Sequence, residues 1–144
     1  MKFKSLITML AALSFCGGAA IAEDKDKEDT PLSKEMSAMN KSLRTLKRQA
    51  ADPTKKADNL ALVEKMKANV DAAEKLEPAK TKDQPAADKP AYLAKYKEQM
   101  SGLKKGFDDL KAAIEKGDAD AVAKAFEKLS DIKEKGHKDF QPDE

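Results

Sequence analysis

The sequence contains one cysteine, one histidine and no tryptophan, and its aromatic share is 5%. Cys16 lies in a stretch that reads as an export signal: a basic start at Lys2 and Lys4, an apolar run from Leu6 to Ala22, and Ala20-Ile21-Ala22 before acidic Glu23-Asp24. Cys16-Gly17-Gly18 interrupts the run, so a membrane anchor is the lesser reading. Lipoprotein processing at Cys16 is a minor alternative, because bulky Phe15 stands where a small residue is expected. Removal of residues 1–22 leaves a mature chain without thiols, which excludes disulfides, thiolate metal sites, cysteine nucleophiles and thioether-linked prosthetic groups. Neither sign of charge dominates: without Lys2 and Lys4, the 28 basic residues fall to 26 against 26 acidic ones. Such a balance creates no overall field for nucleic acid or an anionic membrane. The carboxylates are scattered at helix-surface spacing and no nucleophile and base stand together, so the chain is not expected to be an enzyme.

Strand-like alternation is also missing, and apolar residues recur instead at spacings of three and four. The mature part divides into a charged leader over 23–30, expected to be disordered, and a helical domain over 31–144. Thr30-Pro31 supplies an N-cap hydroxyl and a proline at the first helical position. The first helix presents Leu32, Met36, Met39, Leu43 and Leu46, and Asp52-Pro53-Thr54 separates it from the second. The second carries Leu60, Val63, Met66 or Lys67, Val70, Ala73 and Leu76, is weaker in its middle, and stops at Glu77-Pro78. Pro78 to Pro90 holds three prolines and no large apolar residue, and reads as a surface connection. The third helix has the cleanest register, Leu93, Tyr96, Met100, Leu103, Phe107, Leu110 and Ile114, and ends at the C-cap Gly117. Asp118 or Asp120 opens a fourth, with Val122, Phe126, Leu129 and Phe140 on its stripe and Ala125 and Ile132 at its margin.

About 120 mature residues suit one small domain. Four helices, each with one apolar stripe, are most simply satisfied by an all-α, antiparallel up-down-up-down four-helix bundle. In that topology the first helix starts at the end where the fourth finishes. Met36 then lies roughly 7 to 8 Å in, and His137 roughly 5 to 9 Å in from the same end. At about 100° per residue, Met36 falls near Leu43 and His137 near Phe126, so both point inward. A thioether and an imidazole facing each other form one of the axial pairs that hold haem iron. Two plainer readings stand beside this: a histidine near a helix C-terminus caps the dipole as a solvated cation, and methionine on an apolar stripe fills gaps, as Met39, Met66 and Met100 are expected to do. Gly136 likewise has two readings, as a helix end or as a place where a missing side chain permits close approach.

The segment Leu32-Ser33-Lys34-Glu35-Met36-Ser37-Ala38-Met39-Asn40-Lys41-Ser42-Leu43 resembles the opening helix of the cytochrome b562 family, in which the methionine four residues after the leucine is an axial ligand. Gly106-Phe107-Asp108 with Leu110 is similar to the third-helix segment whose phenylalanine packs beside the haem, and Leu103 replaces an aromatic common one turn earlier. Lys133 to Phe140 resembles the last helix, where the histidine is the second ligand. It also looks like the Cys-x-x-Cys-His ending of cytochromes c′ with Lys133 and Gly136 in place of the cysteines. Gln141 stands where the family tends to have arginine, so that a propionate partner is either lost or supplied by Lys133 or Lys138.

The resemblance spans essentially the whole mature chain. It implies one noncovalent haem b per chain, held by Met36 and His137 and bordered by Leu32, Met39, Leu43, Leu103, Phe107, Lys133 and Gly136. It further implies a monomeric periplasmic one-electron carrier that serves a redox protein of that compartment. The alternative from another class is a haem-free exported helical protein of the interaction or stress-chaperone kind, in which His137 is only a cap.

Overall fold

The computed structural model describes residues 30–141, arranged as α1 (Pro31–Gln49), α2 (Lys56–Ala73), α3 (Lys89–Lys116) and α4 (Ala119–Phe140). The expected signal segment, Cys16, the leader up to Asp29 and the last three residues lie outside the described residues. Successive helices run antiparallel, and α1 packs on α2, α2 on α3 and α3 on α4. The direct α1 to α4 contact that closes the ring is much slighter.

Helix boundaries follow local chemistry. Thr30 Oγ1 accepts from the Ser33 amide at 3.1 Å and Pro31 occupies the first turn, so α1 starts with a satisfied donor. Of the two aspartates available to α4, Asp118 is the cap and accepts from the Ala121 amide at 2.9 Å. Gly117 takes φ 70°, the left-handed value that stops α3 within one residue of that cap. Between α1 and α2, fully buried Asn59 receives Gln49 Nε2 at 2.8 Å on its Oδ1 and donates to the Gln49 carbonyl at 3.4 Å. A buried amide must find such partners. Asn59→Ala, which strands the Gln49 groups, is expected to cost about 2 kcal/mol in a denaturant melt.

The core joins Met39 and Leu46 of α1, Val63, Met66 and Val70 of α2, Tyr96, Met100, Leu103, Phe107 and Leu110 of α3, and Ala125, Leu129 and Phe140 of α4. Three sequence expectations need correction. First, α2 ends at Ala73, short of Glu77-Pro78: its chain tightens into i to i+3 bonds from Lys75 to Ala72 and from Leu76 to Ala73, and the Tyr96 hydroxyl takes the Ala73 carbonyl at 2.7 Å. Second, the connection after Pro78 is not simply superficial, because it forms a 3-10 turn over Ala79–Asp83 that buries Pro78 and Thr81 against α3 and α4. Third, Ala125 is buried beside Leu129 at the centre of the α4 stripe and not at its margin, while Val122 and Phe126, expected on the stripe, are half-buried at its edge.

That rotation of α4 has a cause in α3. A Cβ on Gly106 would stand 2.7 Å from Leu129 Cδ2, so the absent side chain is what lets the Leu129 face of α4 settle on α3. Phe126 is thereby turned toward α1, where Lys47 Nζ sits 5.4 Å from its ring centroid.

Candidate functional site

The Lys47 to Phe126 contact fixes how α1 and α4 are registered. Met36 precedes Lys47 by 11 residues and His137 follows Phe126 by 11, so in antiparallel helices the two reach the same level to within about one turn. Eleven residues also complete about three turns with only about 20° left over. Met36 therefore shares a face with Lys47, and His137 with Phe126. Both are half-buried, at the edge where α1 and α4 approach each other least.

Each helix divides into a core flank and this edge. On α1, Met39, Ser42 and Leu46 are buried, whereas Leu32, Met36 and Leu43 are half-buried and packed against the core's rim. Met39, 3% exposed, is a core methionine, and Met36 is the sulfur on the edge. On α4 the edge consists of Val122, Phe126, Lys133 and His137, with Lys133 one turn before the histidine.

The last turns of α4 remain helical past Gly136: the helix runs to Phe140, and the Gln141 amide closes it on the His137 carbonyl at 3.0 Å. Gly136 is thus not a helix end. Its missing side chain faces α3, where a Cβ would meet Gln99 Nε2 at 3.2 Å. Gln99 in turn donates to the Ile132 carbonyl. The structure therefore turns Gly136 about 100° away from the His137 direction, toward α3 and not α1.

A set of contacts from the first turns of α3 holds this end of α4 in place. The Phe140 ring meets those of Tyr92 and Tyr96 edge-on, at centroid distances of 5.2 and 5.3 Å. Tyr92 Oη donates to the Asp139 carbonyl at 3.3 Å, and Lys95 Nζ lies 3.6 Å from Asp139 Oδ2. The sequence pattern marks none of these residues as part of the site, although Tyr92, Lys95, Tyr96 and Gln99 stand at i, i+3, i+4 and i+7 on one helix face. Burial, and secondarily the charge of Glu74, pushes the Tyr96 hydroxyl far above the usual tyrosine range. Burial and then Asp139 raise Tyr92 as well. Unfolded tyrosine loses its proton near pH 10 while the folded hydroxyls keep theirs, so the unfolded state binds fewer protons there and stability falls with rising pH. A pH series of thermal melts is expected to show a Tm decline setting in above about pH 10 that is shallower in Tyr96→Phe.

Leu103 and Phe107 lie deeper. With Gly106 opposite Leu129, Leu103 sits roughly one and a half turns and Phe107 roughly two and a half turns further in than His137. Both are buried, so they form a floor to this end of the bundle. Two buried side-chain atoms among the described residues lack a hydrogen-bond partner, Thr81 Oγ1 and Asn69 Oδ1. Thr81 is in the turn that packs on α3 and α4, and Asn69 binds Glu35, the neighbour of Met36, so both sit at the end of the bundle that holds Met36 and His137. Stranding such atoms costs about 1 to 3 kcal/mol each. A thioether and an imidazole on opposing helices, an apolar edge of Leu32, Leu43 and Phe126 and the buried Leu103 and Phe107 beyond them fit a flat, largely apolar group with an iron centre.

Fold and site together define an antiparallel four-helix bundle that presents one thioether and one imidazole at the same level on two different hairpins. Residues 31–141 match the family model for cytochrome b562. The chain belongs to the cytochrome b562 family, whose members are haem-binding electron carriers and not enzymes. Comparison with curated proteins and with solved structures returns no significant match.

Proposed function

We propose that the protein is a periplasmic b-type cytochrome that passes single electrons, with one noncovalent haem b held between Met36 and His137. The observation that supports this reading is the Lys47 to Phe126 contact, from which helical periodicity brings Met36 and His137 to the same level within about one turn, each half-buried. Bound there, haem supplies an iron that alternates between ferrous and ferric states. The chain's residues do the rest. The α3 contacts to Asp139 and Phe140 fix the backbone just after His137, and Gln99 on the Ile132 carbonyl fixes it before, which would limit the reorganisation that accompanies each change of charge. Leu32, Leu43, Leu103 and Phe107 keep water from the macrocycle, and a thioether ligand raises the reduction potential relative to a second imidazole. With both Met36 and His137 as its ligands the iron would offer a substrate no ready place to bind, in keeping with a carrier.

Titration of haemin into the purified mature protein tests this. A Soret band that saturates at about one equivalent is expected, as one pair of axial ligands requires. A protein that stays helical and colourless throughout the titration is the outcome that removes the proposal.

A further inference from the structure

Neutral net charge conceals an uneven distribution. Lys34, Lys41 and Arg48 recur every seven residues along α1, so each is turned only about 20° from the last, and Arg44 falls within the same outward sector. All four are exposed, and the chain's two arginines are both in this row. Ser37 is the only other residue in the sector. The single carboxylate of α1, Glu35, is directed away to α2, where Asn69 Nδ2 donates to it at 2.7 Å.

The other helices mix their charges. Lys67 pairs with Asp108, Lys104 with Asp71 and Glu74, and Lys111 with Glu64 across α2 and α3, while Lys128 pairs with Asp109 and Lys95 with Asp139 across α3 and α4. Among the described residues, no ion pair uses Lys41, Arg44 or Arg48. The like charges of Lys41, Arg44 and Arg48, within about 10 Å of helix, repel one another and are held there without an ion pair.

We propose that the outward face of α1 is the docking surface for an acidic protein, with Lys41, Arg44 and Arg48 meeting its carboxylates. Guanidinium forks match carboxylates in two-point geometry, and an unmixed patch steers a complementary partner into register. The sector has no apolar residue to enter a lipid surface and no aromatic on which bases could stack. α1 also carries Met36, so a partner lying along this face sits on the helix that supplies one axial donor. Electron exchange through the contact rests on the haem reading; the charge recognition does not.

The test is amide-shift mapping on the isotope-labelled mature protein, with and without haem, using poly-L-glutamate as the probe at about 20 mM salt, where surface charges are weakly screened. Shifts confined to residues 34–48 are expected, with affinity reduced about tenfold or more in the triple variant Lys41→Gln/Arg44→Gln/Arg48→Gln. Lys97→Gln/Lys105→Gln, which removes two exposed lysines of α3, is expected to leave it unchanged. Shifts centred on α3, equal loss in both variants, or tighter binding to phosphatidylglycerol vesicles or duplex DNA than to the polypeptide would overturn the proposal. Shifts on α1 in a protein that never takes up haem would leave this surface standing and remove the cytochrome reading instead.

Discussion

Replacing His137 with alanine is expected to weaken haem retention by at least about a hundredfold, or about 2.7 kcal/mol, while costing the bundle less stability than truncation of a core residue. The histidine is half-buried, whereas the core side chains are almost fully buried. Met36→Ala is expected to behave differently. Haem stays bound through the imidazole, but one strong-field position empties, which converts the iron largely to high spin and lowers the potential. Met39→Ala provides the control, because Met39 is a core residue about 60° around the helix from Met36. It is expected to lower stability by about 2 to 5 kcal/mol with the low-spin spectrum retained. Equilibrium haem transfer to an acceptor protein, together with visible spectra of the three variants, reads all of these effects. A Met39→Ala spectrum that turned high-spin while that of Met36→Ala did not would reassign the sulfur.

Phe140→Ala is expected to produce the largest loss of stability near the site, about 3 to 5 kcal/mol. Phe140 is 7% exposed and touches both Tyr92 and Tyr96, so truncation removes two ring contacts and leaves a void where α4 meets α3. For a domain of this size the Tm should fall by roughly 10 to 20 °C. Because the ring anchors the turn that carries His137, haem affinity should also fall, by about tenfold, even at temperatures where the variant is fully folded. Phe140→Leu, which keeps an apolar side chain in the void, is expected to recover most of both losses. A Phe140→Ala protein with a large Tm drop and unaltered haem affinity would show that the aromatic contacts hold the helix without positioning its ligand.

Much of this architecture is legible in the amino-acid sequence. Tyr96 through Ile114 keep the three-and-four register that periodicity predicts, and Gly117 stops α3 as its position before Asp118 requires. Helical periodicity alone puts Met36 near Leu43 and His137 near Phe126, and in the structure all four are half-buried at the margin of the core. What a sequence does not contain is the pairing of one helix with another. Whether Ala125 or Phe126 leads the α4 stripe depends on how closely α3 and α4 approach, and that is decided by Gly106 beneath Leu129. That Gly136 is not a helix end is decided by the turns after it, which stay helical to Phe140, and the side that its missing Cβ faces is decided by Gln99 of α3. The Asn59 to Gln49 bonds and the unpaired Thr81 hydroxyl are equally hidden, because a polar residue on an apolar stripe does not announce its partner. The basic row on α1 is visible as letters, but net neutrality masks it until lysines of the other helices are matched with their carboxylates.

The register of α1 against α4 is the central claim, and the visible spectrum of the haem-loaded, dithionite-reduced protein tests it most directly. Met36 and His137 at one level on facing edges predict sharp, low-spin bands of a six-coordinate iron, with a thioether-to-iron charge-transfer band in the oxidised form. A bound haem that gave the broad spectrum of a five-coordinate, high-spin iron in both states would contradict that register.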